Sequence, residues 1–402
     1  MQSIKRYIFM AAWCVTMMAL PLCGWAQVSD DGRDSLHYED GLRFSLLTCT
    51  PGTDAYAHFG HTAILAVDEI AEKNAVFNYG CFDASQEHFV LNFIKGDTNY
   101  QLDAETLKFF LWRYSETGNG VTEQVLNLTA EEKERLMKLL LENVRPENQT
   151  YLYNWLYDNC TERARDIIEQ AVDGKVVYER RERTVTVREM LHEKMENSPW
   201  LRLGIDLLLG QEIDQPAPRR TQMFIPNYFQ AEIDSAYIVG TDGTRRQLVK
   251  ETNQLLEDKN QEMASPLSPL VVFSLLLAVT VCISVIDWRR RKLLVGYDVV
   301  LHCAQGVAGI IIAYLFCCSK HPAVDSNWQV VLFNPLALCY AVWLVFCKVK
   351  KRKNRLAAVN LAVCSVFVVL MLTVKQVFNP AVYLMALILM IRGVVSVRVY
   401  SL

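Results

Sequence analysis

Five long apolar runs in the last third of the chain constrain its fold more than any other feature. A helix needs about 20 apolar residues to cross the hydrocarbon core of a bilayer, and each run is close to that length. The runs therefore predict an all-α domain of five transmembrane helices, to which we assign residues 266–402. They cover residues 267–286, 295–316, 330–346, 356–374 and 382–397.

Basic residues between the runs predict the direction of each span. The predicted membrane domain contains 14 Lys or Arg and 3 Asp or Glu. The bases cluster after the first and third runs, at 289–292 and 348–355, whereas the second and fourth loops carry only Lys320 and Lys375. Because basic loops stay in the cytoplasm, the segment before the first run lies outside and the C-terminus inside. Arg392 lies within the fifth run, where it either snorkels to the inner surface or faces a polar site.

The first 26 residues are typical of a signal peptide. Lys5 and Arg6 precede an apolar stretch, and Gly24 and Ala26 are small residues suited to a cleavage site after Ala26. A lipoprotein signal and an uncleaved anchor are the alternatives, and all three export the residues that follow. Together with the basic loops, this predicts a multi-pass protein of the cytoplasmic (inner) membrane whose large N-terminal domain, residues 27–265, faces the periplasm.

The exported domain is acidic, whereas the membrane domain is basic. Residues 27–265 contain 25 Lys or Arg and 41 Asp or Glu. The apolar tail and the acidic domain exclude a purely cytosolic enzyme, a disordered chain and a basic nucleic-acid binder, so we expect no nucleic acid partner. The acidic residues are most simply a solvated surface and indicate no particular ligand.

The pattern of the exported domain predicts strands followed by helices. Thr129 and Glu132 form a capping-box pattern that opens a helix to about residue 142, and Cys160 starts a second helix that continues to residue 171. We expect helix for most of residues 175–265, ending in a polar linker at 251–265. This order of elements indicates an α+β fold. The strands are predicted at residues 42–50, 62–67, 75–82 and 122–128.

Three cysteines belong to the exported domain, namely Cys49, Cys81 and Cys160. An odd number in an oxidising compartment leaves at least one thiol unpaired within the chain. Cys49 and Cys81 lie on predicted strands, where they are either buried thiols or a disulfide that leaves Cys160 free. The chain has no CxxC pair and no His/Cys cluster with zinc spacing, so we expect neither a structural metal nor a cofactor.

Cys160 and His61 are the candidates for chemistry. A thiolate is a strong nucleophile near neutral pH, and a helix N-terminus such as that at Cys160 favours the ionised thiol. A histidine can take and return the proton, and His61 heads a short strand from which its ring can be aimed. The alternative is that Cys160 is structural and that His58 and His61 are ordinary surface or core residues.

These residues resemble a known arrangement. A histidine at a strand start, before a cysteine in an Asn-Cys pair at a helix start, is similar to the permuted NlpC-type papain-like thiol enzymes, which include lecithin:retinol acyltransferase. More closely, the chain resembles the Bacteroides-type lipoprotein N-acyltransferases (Lnb), over nearly the whole mature chain. The matching motifs are Thr50-Pro51-Gly52-Thr53, Phe59-Gly60-His61-Thr62, Asn78-Tyr79-Gly80-x-Phe82-Asp83, Asn159-Cys160-Thr161, Gly204-Ile205-Asp206 to Gly210, and His321-Pro322 to Asn327.

The resemblance implies a papain-like exported domain that transfers an acyl chain. Cys160 would take the chain from a membrane lipid, the acyl donor, and pass it to the α-amine of a lipoprotein N-terminal cysteine, the acceptor. His61, which matches the family motif where His58 does not, would be the base. His58 would then either support His61 from behind or be an ordinary surface residue. Asn78 or Tyr79 on the next strand would orient its ring, and the backbone N–H of Cys160 would help to bind the oxyanion. Lys320 stands where an acid is expected, which argues against a catalytic role for that membrane loop.

Two other classes of function fit part of the pattern. A cysteine peptidase or amidase of the cell envelope would use the same pair of residues but would not need five spans. A membrane sensor without enzyme activity would keep the spans and use the acidic domain for binding.

Overall fold

The exported segment is an α+β domain, and the segment that follows it is helical, as the sequence predicts. The predicted signal peptide and the predicted domain boundary at 265 and 266 lie outside the residues whose structure is described. The computed structural model describes residues 41–52, 54, 57–83, 85, 87–180, 183–260 and 267–401.

Two antiparallel sheets form the frame of the exported domain. The strands are β1 (Leu42–Cys49), β2 (His61–Asp68), β3 (Lys73–Cys81), β4 (Asn99–Glu105), β5 (Val121–Leu126), β6 (Thr150–Leu152), β7 (Lys175–Val177), β8 (Tyr237–Val239), β9 (Arg245–Gln247) and β10 (Val249–Leu256). The main sheet has the order β10-β5-β1-β2-β3-β4-β6, and a small sheet has the order β7-β8-β9. The central strands β1, β2 and β3 are the most apolar. Their side chains are largely buried on both faces of the sheet.

Helices cover both faces of the main sheet. Those of the exported domain are α1 (Phe89–Lys95), α2 (Leu107–Glu116), α3 (Ala130–Asn143), α4 (Cys160–Ala171), α5 (Val187–Lys194), α6 (Pro199–Leu208), α7 (Arg219–Gln222) and α8 (Pro226–Asp234). One face packs against α3, α4 and α8 in the larger core, and the opposite face packs against α2. Alternation along each strand therefore sends neighbouring residues into different cores.

The predicted strands and the two predicted helices are confirmed, but the end of the domain differs from the prediction. Residues 249–256 form an edge strand that pairs with β5, rather than a polar linker, and residues 237–247 form two more strands rather than helix. The residues from Lys250 to Gln254 are exposed. A strand at the edge of a sheet carries polar side chains, so its composition resembles that of a linker.

The membrane domain contains five apolar helices and one short turn of helix. They are α9 (Pro269–Arg290), α10 (Val295–Cys318), α11 (Pro322–Asp325), α12 (Leu336–Val349), α13 (Ala357–Thr373) and α14 (Pro380–Ser401). Among the described residues, α9, α10 and α14 are long and apolar enough to cross a membrane. The helices α12 and α13 are shorter, so five complete spans stay a prediction.

The third apolar run is only partly helical. Helix α12 begins after Pro335, and its 14 residues rise only about 21 Å. The preceding stretch is irregular, and Leu332 within it is fully buried. The backbone of Asn334 lies so close to Gly309 of α10 that a Cβ there would approach it to 2.5 Å. Irregular backbone at membrane depth is tolerated where it is buried in protein, which is the case here.

Arg392 of α14 faces a polar site and does not snorkel. Its guanidinium lies 2.6 Å from Asp298 of α10 and 2.7 Å from Asp287 of α9, and it donates to Ser284 at 3.1 Å. All four side chains are buried. This cluster ties three membrane helices together.

A buried ionic network joins the exported domain to the outer end of the membrane domain. Arg188 of α5 donates to Asp206 at 2.8 Å and to Asp214 at 2.6 Å. Asp206 also accepts a hydrogen bond of 2.8 Å from Asn379, which directly precedes α14. The backbone N–H of Gly210 donates to the carbonyl of Ala323 at 2.7 Å. The two late motifs, around Asp206 and after His321, therefore form a docking contact between the domains.

Candidate active site

Cys160 is the first residue of helix α4, as the sequence predicts. The side chain of Asn159 accepts hydrogen bonds from the backbone N–H groups of Thr161 and Glu162, at 2.9 and 3.0 Å. Its amide nitrogen donates to the carbonyl oxygens of Trp155 and Phe224. Asn159 therefore fixes where the helix starts, and the Asn-Cys pair positions the thiol.

The start of α4 is also fixed to strand β2. The hydroxyl of Thr62, which follows His61, lies 3.0 Å from the hydroxyl of Thr161, which follows Cys160. Both threonines are fully or almost fully buried. The two candidate residues are thus brought together through their neighbours, and the positive charge of His61 acts on the Cys160 thiol and lowers its pKa.

A chain of hydrogen bonds orients the ring of His61. Its Nε2 lies 2.9 Å from Oδ1 of Asn78 on β3, and Nδ2 of Asn78 donates to Glu105 at the end of β4 over 2.5 Å. Glu105 also pairs with Arg113 of α2. An ionised carboxylate only accepts, so Glu105 presents the amide oxygen of Asn78 to the ring. Nε2 then carries the proton, and Nδ1 is left as the nitrogen that can take a proton from the thiol.

The electrostatics of the pair shift it towards the thiolate–imidazolium form. Burial opposes ionisation of Cys160, but the positive charge of His61 and hydrogen bonds from His61, Thr62 and Thr161 lower the pKa of the thiol. Burial likewise disfavours the charged ring, but the thiolate and the hydrogen bonds to Cys160 and Asn78 raise the pKa of His61. A lowered thiol pKa and a raised histidine pKa widen the pH range in which the ion pair exists.

The other two thiols of the exported domain are free, but their pKa values are raised rather than lowered, so they are unreactive. Cys49 and Cys81 form no disulfide with each other. Burial raises the pKa of Cys49 far above its ordinary range and the pKa of Cys81 to about 12. Only Cys160 among the three combines a lowered pKa with a basic partner, which distinguishes a reactive cysteine from a buried structural one.

Two of the predicted candidates lie away from His61. Tyr79 points to the opposite face of β3 from Asn78, is almost fully buried, and its hydroxyl accepts a hydrogen bond of 2.8 Å from Asn143. Of the two candidates for orienting His61, the structure brings Asn78 to the ring and places Tyr79 in the core. His58 is buried rather than on the surface, and its Nε2 lies 3.1 Å from the carbonyl of Lys194.

The membrane loop at Lys320 makes contacts of a structural kind. Its ammonium group pairs with Asp97 at 2.5 Å, and its backbone N–H donates to the carbonyl of Lys95 at 2.7 Å. The ring of His321 lies 3.0 Å from the carbonyl of Phe93. Lys320 of the membrane domain is thus ion-paired with Asp97 of the exported domain, close to the end of helix α1.

Sequence reasoning missed Glu105 and Arg113, which continue the chain behind Asn78. Glu105 ends a strand that the sequence did not predict, and Arg113 lies on an unpredicted helix. A carboxylate at the end of a strand is common, and only the register of β3 with β4 brings it beside Asn78. Only a prediction that residues 99–105 form a strand paired with β3 could have placed Glu105 near Asn78.

Comparison with known families agrees with this organisation. Residues 38–193 match the family model described as the Lnb N-terminal periplasmic domain, and residues 259–401 match the one described as the Lnb transmembrane domain. The chain belongs to the Lnb family. The resemblance carried by the motifs is therefore confirmed, as is a periplasmic domain followed by a transmembrane domain.

The remaining comparisons returned nothing. No curated protein and no solved structure matches the chain. The permuted papain-like arrangement and the inner membrane as the location accordingly stay predictions for this member of the Lnb family.

Proposed function

We propose that this Lnb-family protein is a cysteine-dependent lipoprotein N-acyltransferase. The observation that carries the proposal is the series Cys160, His61 and Asn78, in which His61 lowers the pKa of the thiol and is itself hydrogen-bonded to Asn78. The series lies in the domain docked on the outer end of the membrane helices. Family membership supplies the envelope setting, and the geometry supplies a thiol, a base and a residue that orients the base.

The reaction proceeds in two steps. The Cys160 thiolate attacks the ester carbonyl of a membrane lipid, the C–O bond breaks, and His61 gives its proton to the departing alkoxide. The α-amine of the lipoprotein N-terminal cysteine then attacks the thioester, the C–S bond breaks, and His61 takes the amine proton. An N-acyl lipoprotein and the free thiol result, so one difficult displacement is divided into two easier ones.

Backbone groups at the helix start supply the oxyanion site. The side chain of Asn159 occupies the N–H groups of Thr161 and Glu162, and the N–H of Cys160 directly precedes them. A tetrahedral oxyanion on the carbon attached to Cys160 would lie near this N–H and near the positive end of α4.

The test uses the full-length protein in lipid nanodiscs with a diacyl lipopeptide that has a free α-amine. A third acyl chain is scored by mass. Cys160→Ser should abolish transfer, and His61→Ala should lower the rate by about 10²–10⁴, the usual contribution of one positioned proton-transfer group. His58→Ala is the matched control, since His58 contacts a backbone carbonyl and not Cys160.

Two outcomes would overturn the proposal. One is a Cys160→Ser protein that makes the triacyl product at nearly the wild-type rate. The other is a wild-type protein that cleaves peptidoglycan stem peptides and never acylates the lipopeptide, which would establish the peptidase alternative. When the amine is blocked, the wild type should instead accumulate an acylated form that hydroxylamine releases, as expected of a thioester.

A further inference from the structure

Helix α1 is an apolar helix that the exported domain does not cover. Its seven residues include none that is buried, and Val90, Leu91 and Phe93 on one side of it are 65%, 48% and 37% exposed. An apolar patch of this kind is unfavourable in water and marks a surface that meets something apolar.

The position of α1 indicates what it meets. The hydroxyl of Ser319, directly after the spanning helix α10, donates to the carbonyl of Ile94 at 2.8 Å. Further hydrogen bonds join the backbone of α1 to Lys320 and His321. Because α10 ends at Cys318 on the periplasmic side, these bonds hold α1 at the level where α10 leaves the hydrocarbon.

A tryptophan marks the same level on another helix. Trp200 of α6 is 44% exposed, and its indole N–H donates to the carbonyl of Leu267, two residues before α9, at 2.7 Å. Tryptophan is enriched where a protein passes from lipid to water. The outer ends of α9 and α10 thus each hold a periplasmic helix against the bilayer surface.

A line of aromatic rings runs from α1 into the exported domain. It consists of Phe89, Phe82, Tyr100 and Tyr153, in that order. The centroids of successive rings are 5.1, 5.1 and 4.1 Å apart, which is contact distance for stacked or tilted rings. The rings offer an apolar surface that is continuous from the lipid level inward.

The line of rings ends beside Cys160, and Gly80 lies between the last ring and Cys160. A Cβ at Gly80 would lie 3.9 Å from the ring of Tyr153 and 3.5 Å from Cβ of Cys160. Gly80 also has φ +85°, which a larger residue adopts only with strain. Gly80 itself therefore places no side chain between the ring of Tyr153 and Cys160.

We propose that α1 inserts its exposed side into the outer leaflet and that the aromatic line guides an acyl chain of a phospholipid from the leaflet to Cys160. This inference rests on the proposed function. The ester carbonyl of a phospholipid lies near the bilayer surface, at the level where α1 is held, and the acyl chain attached to it is apolar, as the line of rings is.

The test compares two acyl donors on the same variants. The donors are a phospholipid in nanodiscs and a water-soluble short-chain nitrophenyl ester, and acylation of Cys160 is measured by intact mass. Leu91→Asp should lower the ratio of the phospholipid rate to the soluble-ester rate at least tenfold. Phe82→Asp, which places a charge within the line, should lower the same ratio.

Ile70→Asp is the matched control. Ile70 is 75% exposed and follows the end of β2 that is farthest from His61, about 23 Å away along the strand. It should leave the ratio unchanged. A photocrosslinking residue at position 91 should capture lipid in nanodiscs, and the same residue at position 70 should not.

The outcomes separate this inference from the proposed function. An unchanged ratio in both Leu91→Asp and Phe82→Asp would overturn the acyl path, and absence of lipid capture at position 91 would overturn the insertion. If the wild type were acylated by neither donor while position 91 captured lipid, the proposed acyltransferase function would fall and the membrane contact of α1 would be supported.

Discussion

The amide nitrogen of Asn78 lies 2.5 Å from the carboxylate of Glu105, and this contact determines the protonation of a ring that Glu105 does not touch. A carboxylate can only accept, so the amide oxygen must face His61 and accept from Nε2 at 2.9 Å. Glu105 is therefore a positioning residue that acts through Asn78.

Removal of Asn78 should slow acyl transfer without removing the nucleophile. A hydrogen bond to a charged group contributes about 1.5–3 kcal/mol, which corresponds to a loss of about 10- to 150-fold in rate for Asn78→Ala. Single-turnover acylation of Cys160 measures this loss. Asn78→Gln is a conservative comparison that keeps the amide, and an equal loss in both variants would indicate displacement of the strand.

Glu105→Gln should affect the rate through the tautomer of His61. The new amide can present either its oxygen or its nitrogen to Asn78, so the orientation of that side chain is no longer fixed. We expect a loss smaller than that of Asn78→Ala, together with a changed pH profile of acylation. An unaltered pH profile would contradict the positioning role, even if the protein were less stable.

The pH dependence of thiol alkylation should move when His61 is removed. In the wild type, His61 lowers the pKa of Cys160, so the thiolate persists to a lower pH than in an ordinary thiol. In His61→Ala, burial remains and raises the pKa, so the midpoint of the iodoacetamide rate should shift to higher pH. A midpoint that does not move would show that the two residues are not paired. His58→Ala should leave it in place.

The three thiols of the exported domain should differ in reactivity. Cys160 should be labelled in the folded protein, whereas burial raises the pKa of Cys49 far above its ordinary range and that of Cys81 to about 12. Peptide mapping after brief labelling measures each site. Equal labelling of all three, or protection of Cys160 alone, would count against Cys160 as the nucleophile. Labelling after unfolding should include all three.

The sequence was sufficient to propose Cys160 and His61, which the structure brings together, because each carries a local signal. Cys160 follows a residue that caps a helix, and His61 starts a strand directly after Gly60. The contact between Thr62 and Thr161 has no such signal, since a threonine beside either residue is ordinary. Thr62 and Thr161 align the site only because α4 packs on β2 and brings their hydroxyls together.

The polar parts of the fold were harder to predict than the apolar parts. Apolar runs predict strands and spans directly, whereas β10 carries the exposed polar residues of a sheet edge, which have the composition of a linker. In the third apolar run, Pro335 delays the start of α12, and close packing on Gly309 keeps the preceding backbone irregular. Such tertiary effects produce no periodic pattern of apolar residues from which they could be predicted.

The orientation of the chain can be tested with fusions. A reporter that is active only in the cytosol should give a signal when fused after Arg355 and none when fused after Asn260. The reason is the charge bias of the membrane domain, whose bases lie on alternate loops. A reporter that is active only in the periplasm should give the reverse pattern. Exchange of the two results would overturn the orientation.

The buried cluster around Arg392 should be necessary for the stability of the membrane domain. Arg392→Met removes the partner of Asp298 and Asp287 and leaves both carboxylates buried without their cation. Loss of one member of a buried ion pair costs about 3–5 kcal/mol, so the variant should unfold at a lower denaturant concentration in detergent.

A compensating variant distinguishes loss of the charge balance from loss of packing. In the protein with Arg392→Met, Asp298→Asn and Asp287→Asn together, no unpaired charge remains at the site, so most of the lost stability should return. The measurement is the free energy of unfolding from the same denaturant titration. If the triple variant were as unstable as Arg392→Met, the side chain would act through its packing among α9, α10 and α14 and not through its charge. Because the distances from Arg392 to both aspartates are those of direct hydrogen bonds, 2.6 and 2.7 Å, we expect the recovery.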